Sequence, residues 1–259
     1  LQGDLALELL RSRDVWGHTP FVGPFSRYGW SHPGPALFFI FSIPAHFPIN
    51  PSLALSLFSL ILKWTPLATA LIIILRKMGR TPAIVFAAFA NLFLLHHRDE
   101  IWTIWNPTIG LCLFILLVIA VCALPDNSKT LVFSLFAGSI LIQSHIGFVI
   151  PVATLILLAS WRFFLAQRKG QHRHWIRTLV VAGTLTSLLW LPPIFDSIYG
   201  SGNLQDVLSF FVSDENGPSE SVGLKYSLEI ISNQLIPFST WNGRSDLTAG
   251  AVSYTHLTL

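Results

Sequence analysis

Apolar residues along this chain come in long unbroken runs rather than in the stripes of a water-exposed helix or strand. Six runs stand out, roughly 52–75, 82–96, 107–124, 130–145, 148–165 and 177–195. A bilayer-spanning helix takes ~20 residues, so the shorter runs need help from their polar flanks. One continuous helix over 130–165 would measure ~54 Å at 1.5 Å per residue, against a hydrocarbon core of ~30 Å. The pattern therefore breaks at "QSHIG" (Gln143 to Gly147), where polar residues and a glycine permit a tight turn. A further run, "ALFFIFSIPAHF" (Ala36 to Phe47), is interrupted by Pro44 and followed by Pro48 and Pro51. It is too short to span, and proline shortens its helix further. It reads as a re-entrant or interfacial helix lining a cavity, the setting in which broken helices persist at membrane depth. The predicted fold class is an all-α polytopic membrane protein of about six transmembrane helices. An amphipathic juxtamembrane helix and this short re-entrant helix complete it.

Composition agrees. Of 259 residues, 52% are apolar and only 11% charged, with 20 Phe and 9 Trp, which is the signature of a membrane protein. Both cysteines, Cys112 and Cys122, fall in one apolar run and read as buried thiols with no disulfide framework. Internal repeats, glycine-rich phosphate loops, metal-spaced Cys/His sets and basic nucleic-acid patches are absent, so nucleic acid is not an expected partner. The chain opens at Leu1 without an initiator Met or signal peptide and reads as a fragment whose native form extends at both ends. Its tail "VSYTHLTL" (Val252 to Leu259) resembles a translated sequencing adapter and is set apart from fold reasoning.

Charge orients the runs. "RKMGR" (Arg76 to Arg80) and "RFFLAQRKGQHRHWIR" (Arg162 to Arg177) hold eight of the sixteen Lys and Arg, with four expected crossings between them. They share a side, which the positive-inside rule makes cytoplasmic. The second of them reads as a topology signal and a contact for anionic membrane lipids. Segments 1–34, 97–106, 143–147 and everything after 195 then face outward and carry twelve of the thirteen carboxylates, all but Asp126. The expected organisation is an outer loop at 1–34, a transmembrane domain at 35–195 and an outer region at 196–251, in a bacterial inner membrane.

Candidate chemistry gathers in the outer loops. Asp4 follows a glycine and precedes Leu-Ala-Leu, so it suits a helix N-cap. On that helix Asp4, Glu8 and Arg11 share one face, Leu5 and Leu9 another. The plain reading pairs Glu8 with Arg11 in water. The functional one adds "GPFSRYGWSHPGP" (Gly23 to Pro35), with Arg27, Tyr28, Trp30 and His32 close behind Asp14 and His18. Aromatic faces stack on sugars, Arg neutralises phosphate, and a carboxylate accepts a hydroxyl proton. Asp99 and Glu100 occupy the next outer loop beside Trp102 and Trp105. His145 lies in the third outer turn, as a turn residue or a substrate contact. Lys63 stands alone inside the first long run and must face an acid, a cavity or a lipid phosphate, or snorkel.

An early acid, an amphipathic helix and "GPFSRYGWSHPGPALFF" leading into an apolar helix resemble the first outer loop of the membrane-embedded GT-C glycosyltransferases. That superfamily includes the protein O-mannosyltransferases and the aminoarabinose and arabinofuranosyl transferases. "WLPPIFDSIYGSGNL" (Trp190 to Leu204) resembles a later outer-loop stretch of the same group, which brings in Asn203. The likeness covers about 1–215 and implies transfer of a sugar from a polyprenyl-phosphate donor to a glycan, lipid or protein acceptor. It implies Asp4 and Glu8 as catalytic candidates. Substrate contacts would come from Arg27, Tyr28, Trp30, His32, Asp99, Glu100, His145 and Asn203. Members often carry an acidic pair where this chain has Asp-Leu, so the identity of the base and the use of a divalent metal stay open. Two other classes fit the same helices. A transporter or flippase would use Lys63 and His145 along a path, and a polymer-assembly subunit would need no catalysis.

Overall fold

The computed structural model describes residues 3–26, 28–98, 101–124, 128–168, 175–212 and 228, and of Asp4 only the backbone. The chain divides into two compact units, Leu1–Ser213 and Asp214–Leu259. Asp99, Glu100, Arg27 and the region expected at 213–251, Leu228 apart, lie outside the described residues.

The first unit is helical. Its helices are α1 (Asp4–Arg13), α2 (Ala36–Ala45), α3 (Pro51–Lys77), α4 (Arg80–His96), α5 (Asn106–Ile109), α6 (Leu111–Ala123), α7 (Ser128–Ser144), α8 (Val149–Arg168), α9 (Trp175–Tyr199) and α10 (Asn203–Val212), with a 3-10 turn at Ile146–Phe148 before α8. Local chemistry explains several ends. Asn50 caps α3 by accepting the Leu53 N–H at 3.2 Å, and Pro51 takes the first helical position, where its missing N–H costs nothing. Pro51 thus opens α3 rather than closing α2. Asp4 does not cap α1: the cap position belongs to Gly3, and Asp4 is the first helical residue.

Among the described residues, four stretches are long and apolar enough to cross a membrane: Pro51–Lys77, Asn106–Ala123, Ile146–Arg168 and Trp175–Tyr199. The expected spans at 82–96 and 130–145 form α4 and α7, each of 17 residues, or ~25 Å at 1.5 Å per residue. Both stop early for visible reasons. Beyond α4 the chain turns into a segment fastened to the middle of α3: Lys63 Nζ donates to the carbonyls of Ile101 (3.1 Å) and Thr103 (2.8 Å), and Ser59 Oγ donates to Thr103 at 2.7 Å. Lys63 therefore ties down a loop by backbone carbonyls. The α7 helix ends where Asn106 Nδ2 donates to the Ser144 carbonyl at 3.1 Å.

The α7 helix is the hub, packed against α2, α6, α8 and α9, while α3 runs along α6. Its buried side is rich in small and polar residues, Ser134, Ala137, Gly138, Ser139 and Gln143, which lets helices approach closely. Side-chain bonds join it to α9. Trp190 Nε1 donates to Ser139 Oγ at 3.1 Å, and Gln143 Nε2 donates to the Leu189 carbonyl at 2.8 Å. Pro193 has no N–H to offer that carbonyl, so Gln143 supplies the missing donor. On the outside, α4, α8 and α9 expose large apolar side chains such as Phe89, Leu157 and Leu191, a surface that suits lipid. Cys112 is buried as expected, but Cys122 is exposed near the end of α6.

The short α2 is mostly buried, through Ala36, Leu37, Phe38, Phe41, Ser42, Pro44 and Ala45. Leu37 and Phe41 pack with Leu55, Ile104 and Ile109, and Leu5 and Leu9 of α1 close over them. Beside α2 lies an apolar cavity of about 230 Å³, walled by Leu37, Ile40, Ile61, Leu62, Leu113 and Leu141, with Ser144 at its edge.

Candidate functional site

The stretch from Gly23 to Pro35 folds as a small hairpin. Phe25 and Ser31 form an antiparallel bridge. The Gly23 N–H donates to the His32 carbonyl at 2.9 Å, the His32 N–H to Pro24 at 2.8 Å and the Ser26 N–H to Trp30 at 2.7 Å. Gly29, at φ 88°, lets the turn close.

A second anchor comes from far along the chain. Asn203 Oδ1 accepts the Ser31 N–H at 2.7 Å while its Nδ2 donates to the Ser31 carbonyl at 2.9 Å. Asp196 builds the turn that presents Asn203. Its carboxylate accepts from Ser201 Oγ (2.8 Å), the Ser201 N–H (3.2 Å) and the Asn203 N–H (3.2 Å). Asn203, expected to touch substrate, spends its amide on the hairpin backbone. Asp196 was missed in the sequence, where the only hint was a carboxylate followed by "GSGN".

Over this frame the aromatic rings collect. Tyr28 stacks on Trp30 with centroids 6.2 Å apart and planes 20° from parallel. Phe210 of α10 reaches both rings, at 5.0 and 5.6 Å. Trp30 is buried and meets His32 edge-on at 5.6 Å. Tyr28 stays half exposed, and Trp102 and Trp105 are exposed too, as interfacial aromatic anchors would be. Under the hairpin, Gly34 lies flat on the buried Gln143 side chain.

His32 and His145 meet, with ring centroids 4.6 Å apart. Each ring is hung from one of two consecutive backbone amides. The Ile146 N–H donates to His32 Nδ1 at 3.2 Å, and the Gly147 N–H to His145 Nδ1 at 3.1 Å. Burial, and then the charge of His145, push the His32 pKa down to about 4. Burial also lowers that of His145. Both rings are therefore neutral near pH 7.

The α1 helix carries leucine on both sides: Leu5 and Leu9 pack inward. Leu7 and Leu10 are 59% and 62% exposed, whereas Glu8 and Ser12 are 3% and 0% exposed. Glu8 is thus buried rather than solvated beside Arg11, which is exposed. Exposed leucines beside a buried carboxylate suit a helix lying at a lipid surface. Asp14 and His18, by contrast, pair with each other at 2.7 Å on the surface, so the early polar residues do not all converge. Among the described residues no three His, Cys, Asp or Glu side chains cluster as a metal ion requires.

The four spans, the lipid-suited exterior and the polar end closed by the hairpin define a helical membrane protein. Compared with known protein families, with characterised proteins and with solved structures, the chain matches none.

Proposed function

We propose that this protein is a membrane-embedded glycosyltransferase that moves a sugar from a polyprenyl-phosphate donor to an acceptor on the outer face of the membrane. One juxtaposition carries the reading. Polar groups, the buried Glu8 on α1 and the buried His32 with the half-buried His145, lie close to the short helix α2, and α2 borders an apolar cavity. A lipid-linked sugar needs both surroundings at once, an apolar groove for its tail and a polar chamber for its head.

In this reading the acceptor hydroxyl oxygen attacks the anomeric carbon as the bond from that carbon to the lipid phosphate breaks. The phosphate departs with the bonding pair, and the hydroxyl proton passes to a carboxylate, Asp4 or Glu8. A single displacement inverts the anomeric centre. Hydrogen-bond donors of the hairpin stabilise the charge that grows on the leaving phosphate. Six crossings, with α4 and α7 completing their passage by local bilayer thinning and snorkelling flanks, put the hairpin on the outer side and the arginine-rich turns in the cytoplasm. Transport is the weaker reading, because the Lys63 amine is engaged by the Ile101 and Thr103 carbonyls.

Two experiments test the proposal. Full-length protein reconstituted with lipid-linked sugar is assayed with Asp4→Asn and Glu8→Gln. Loss of a general base lowers turnover by about a hundredfold or more, and undiminished turnover in both variants removes these acids from the mechanism. Labelling of Ser26→Cys in intact cells should come from outside; labelling only from the cytosol overturns the orientation.

A further inference from the structure

The two histidines are held in one tautomer. In each ring Nδ1 accepts a backbone N–H, so in the neutral imidazole the proton resides on Nε2. Among the described residues neither Nε2 has a hydrogen-bond partner, and neither is sealed from solvent. The rings hang from adjacent amides of one 3-10 turn with centroids 4.6 Å apart, so both Nε2–H groups extend away from that turn. Folding leaves two preset donors on neighbouring rings. Ser144, the residue before His145, borders the apolar cavity.

We propose that His32 and His145 form a two-donor site that binds a phosphate oxyanion through both Nε2–H groups, next in the chain to Ser144 of the apolar cavity wall. The inference rests on the glycosyl-transfer reading for its choice of phosphate. It deepens that reading by making the rings neutral donors, not cations. Neutral donors suit a leaving phosphate that must bind and then depart. A permanent cation pair would hold the product, whereas two N–H groups release it at modest cost. Trp30, edge-on to His32 and covered by Phe210, keeps water from one side of the site.

The test uses the full chain in nanodiscs near neutral pH, with ¹⁵N-labelled histidine and three probes: inorganic phosphate, dodecyl phosphate and laurate. Dodecyl phosphate should bind and shift the Nε2 resonances of both rings while leaving Nδ1 in its acceptor state. His145→Phe should weaken that binding by about tenfold or more, and His18→Asn, on the surface, should not. If His145→Phe misfolds, the wild-type Nε2 shifts still decide the matter. Dodecyl phosphate binding with unmoved Nε2 signals overturns the site, and laurate binding equally well overturns the choice of phosphate. Equal affinity for inorganic and dodecyl phosphate keeps the oxyanion site but removes the cavity from it and makes free phosphate the ligand. Failure of the broader reading looks different: both Nε2 signals respond to dodecyl phosphate, yet lipid-linked sugar is not turned over.

Discussion

Gly34 and Gln143 make the sharpest test of the packing that supports the hairpin. Gly34 is not in the left-handed region of backbone space, so alanine there is opposed by contact alone. Its added methyl would overlap Gln143 Oε1 outright and lie 2.5 Å from Cδ and 2.6 Å from Cγ. Overpacking of this kind costs about 1–3 kcal/mol. Gln143 cannot swing aside freely, because its Nε2 holds the Leu189 carbonyl that Pro193 leaves without a donor. Gln143→Ala by itself strands that carbonyl, at a cost of about 1–3 kcal/mol. The double variant places the new methyl in the space vacated by the glutamine, so it escapes the clash. The two effects should therefore fall short of their sum by about 1–3 kcal/mol. Reversible unfolding in mixed micelles, titrated with SDS and followed by tryptophan fluorescence, measures all four proteins. Costs that add to within about 0.5 kcal/mol would refute the claim that Gly34 is required by Gln143.

Further outcomes follow from single contacts. His32 has a folded pKa of about 4 against an ordinary 6.5. Between those values the unfolded chain binds a proton that the folded one does not, so stability falls as pH drops through this window and levels off below it. The full effect is about 3 kcal/mol at 1.36 kcal/mol per pH unit, and it should shrink in His32→Gln when unfolding is measured across that range. Asn203→Leu removes both bonds to the Ser31 backbone and should raise hydrogen exchange in the hairpin, with a cost of about 1–3 kcal/mol; unchanged exchange at Ser31 argues against the clamp. Cys122 is exposed and Cys112 buried, so a maleimide in detergent should modify the first rapidly and the second only on unfolding, as read by mass spectrometry of the peptides.

Much of the fold could be read from order along the chain. The break at Gln143–Gly147, the shortness of α2 and the placement of α3, α4, α6, α7, α8 and α9 follow from where apolar runs start and stop, whereas α10 lies in a stretch read as outer loop. In lipid a backbone must satisfy its own hydrogen bonds, so an apolar run becomes a helix without help from partners. The site was legible only in part. His32 and the aromatics of "SRYGWSHPGP" announced a polar loop out of keeping with its neighbours, and Glu8 was visible as an early acid. That Glu8 would be buried was not, because amphipathicity read against water assigns charge to the outside, whereas here Glu8 is buried while Arg11 on the same helix is exposed.

What sequence alone determined was local: which residues become helix, where prolines and Asn50 begin or end them, and that the whole favours a bilayer. What only the tertiary structure decided was pairing. His32 with His145, Asn203 with Ser31, Gln143 with the Leu189 carbonyl and Lys63 with the Ile101 and Thr103 carbonyls all join residues distant in the chain. No periodicity encodes them, since each depends on how rigid helices of particular lengths pack and on which buried polar atom is then left seeking a partner.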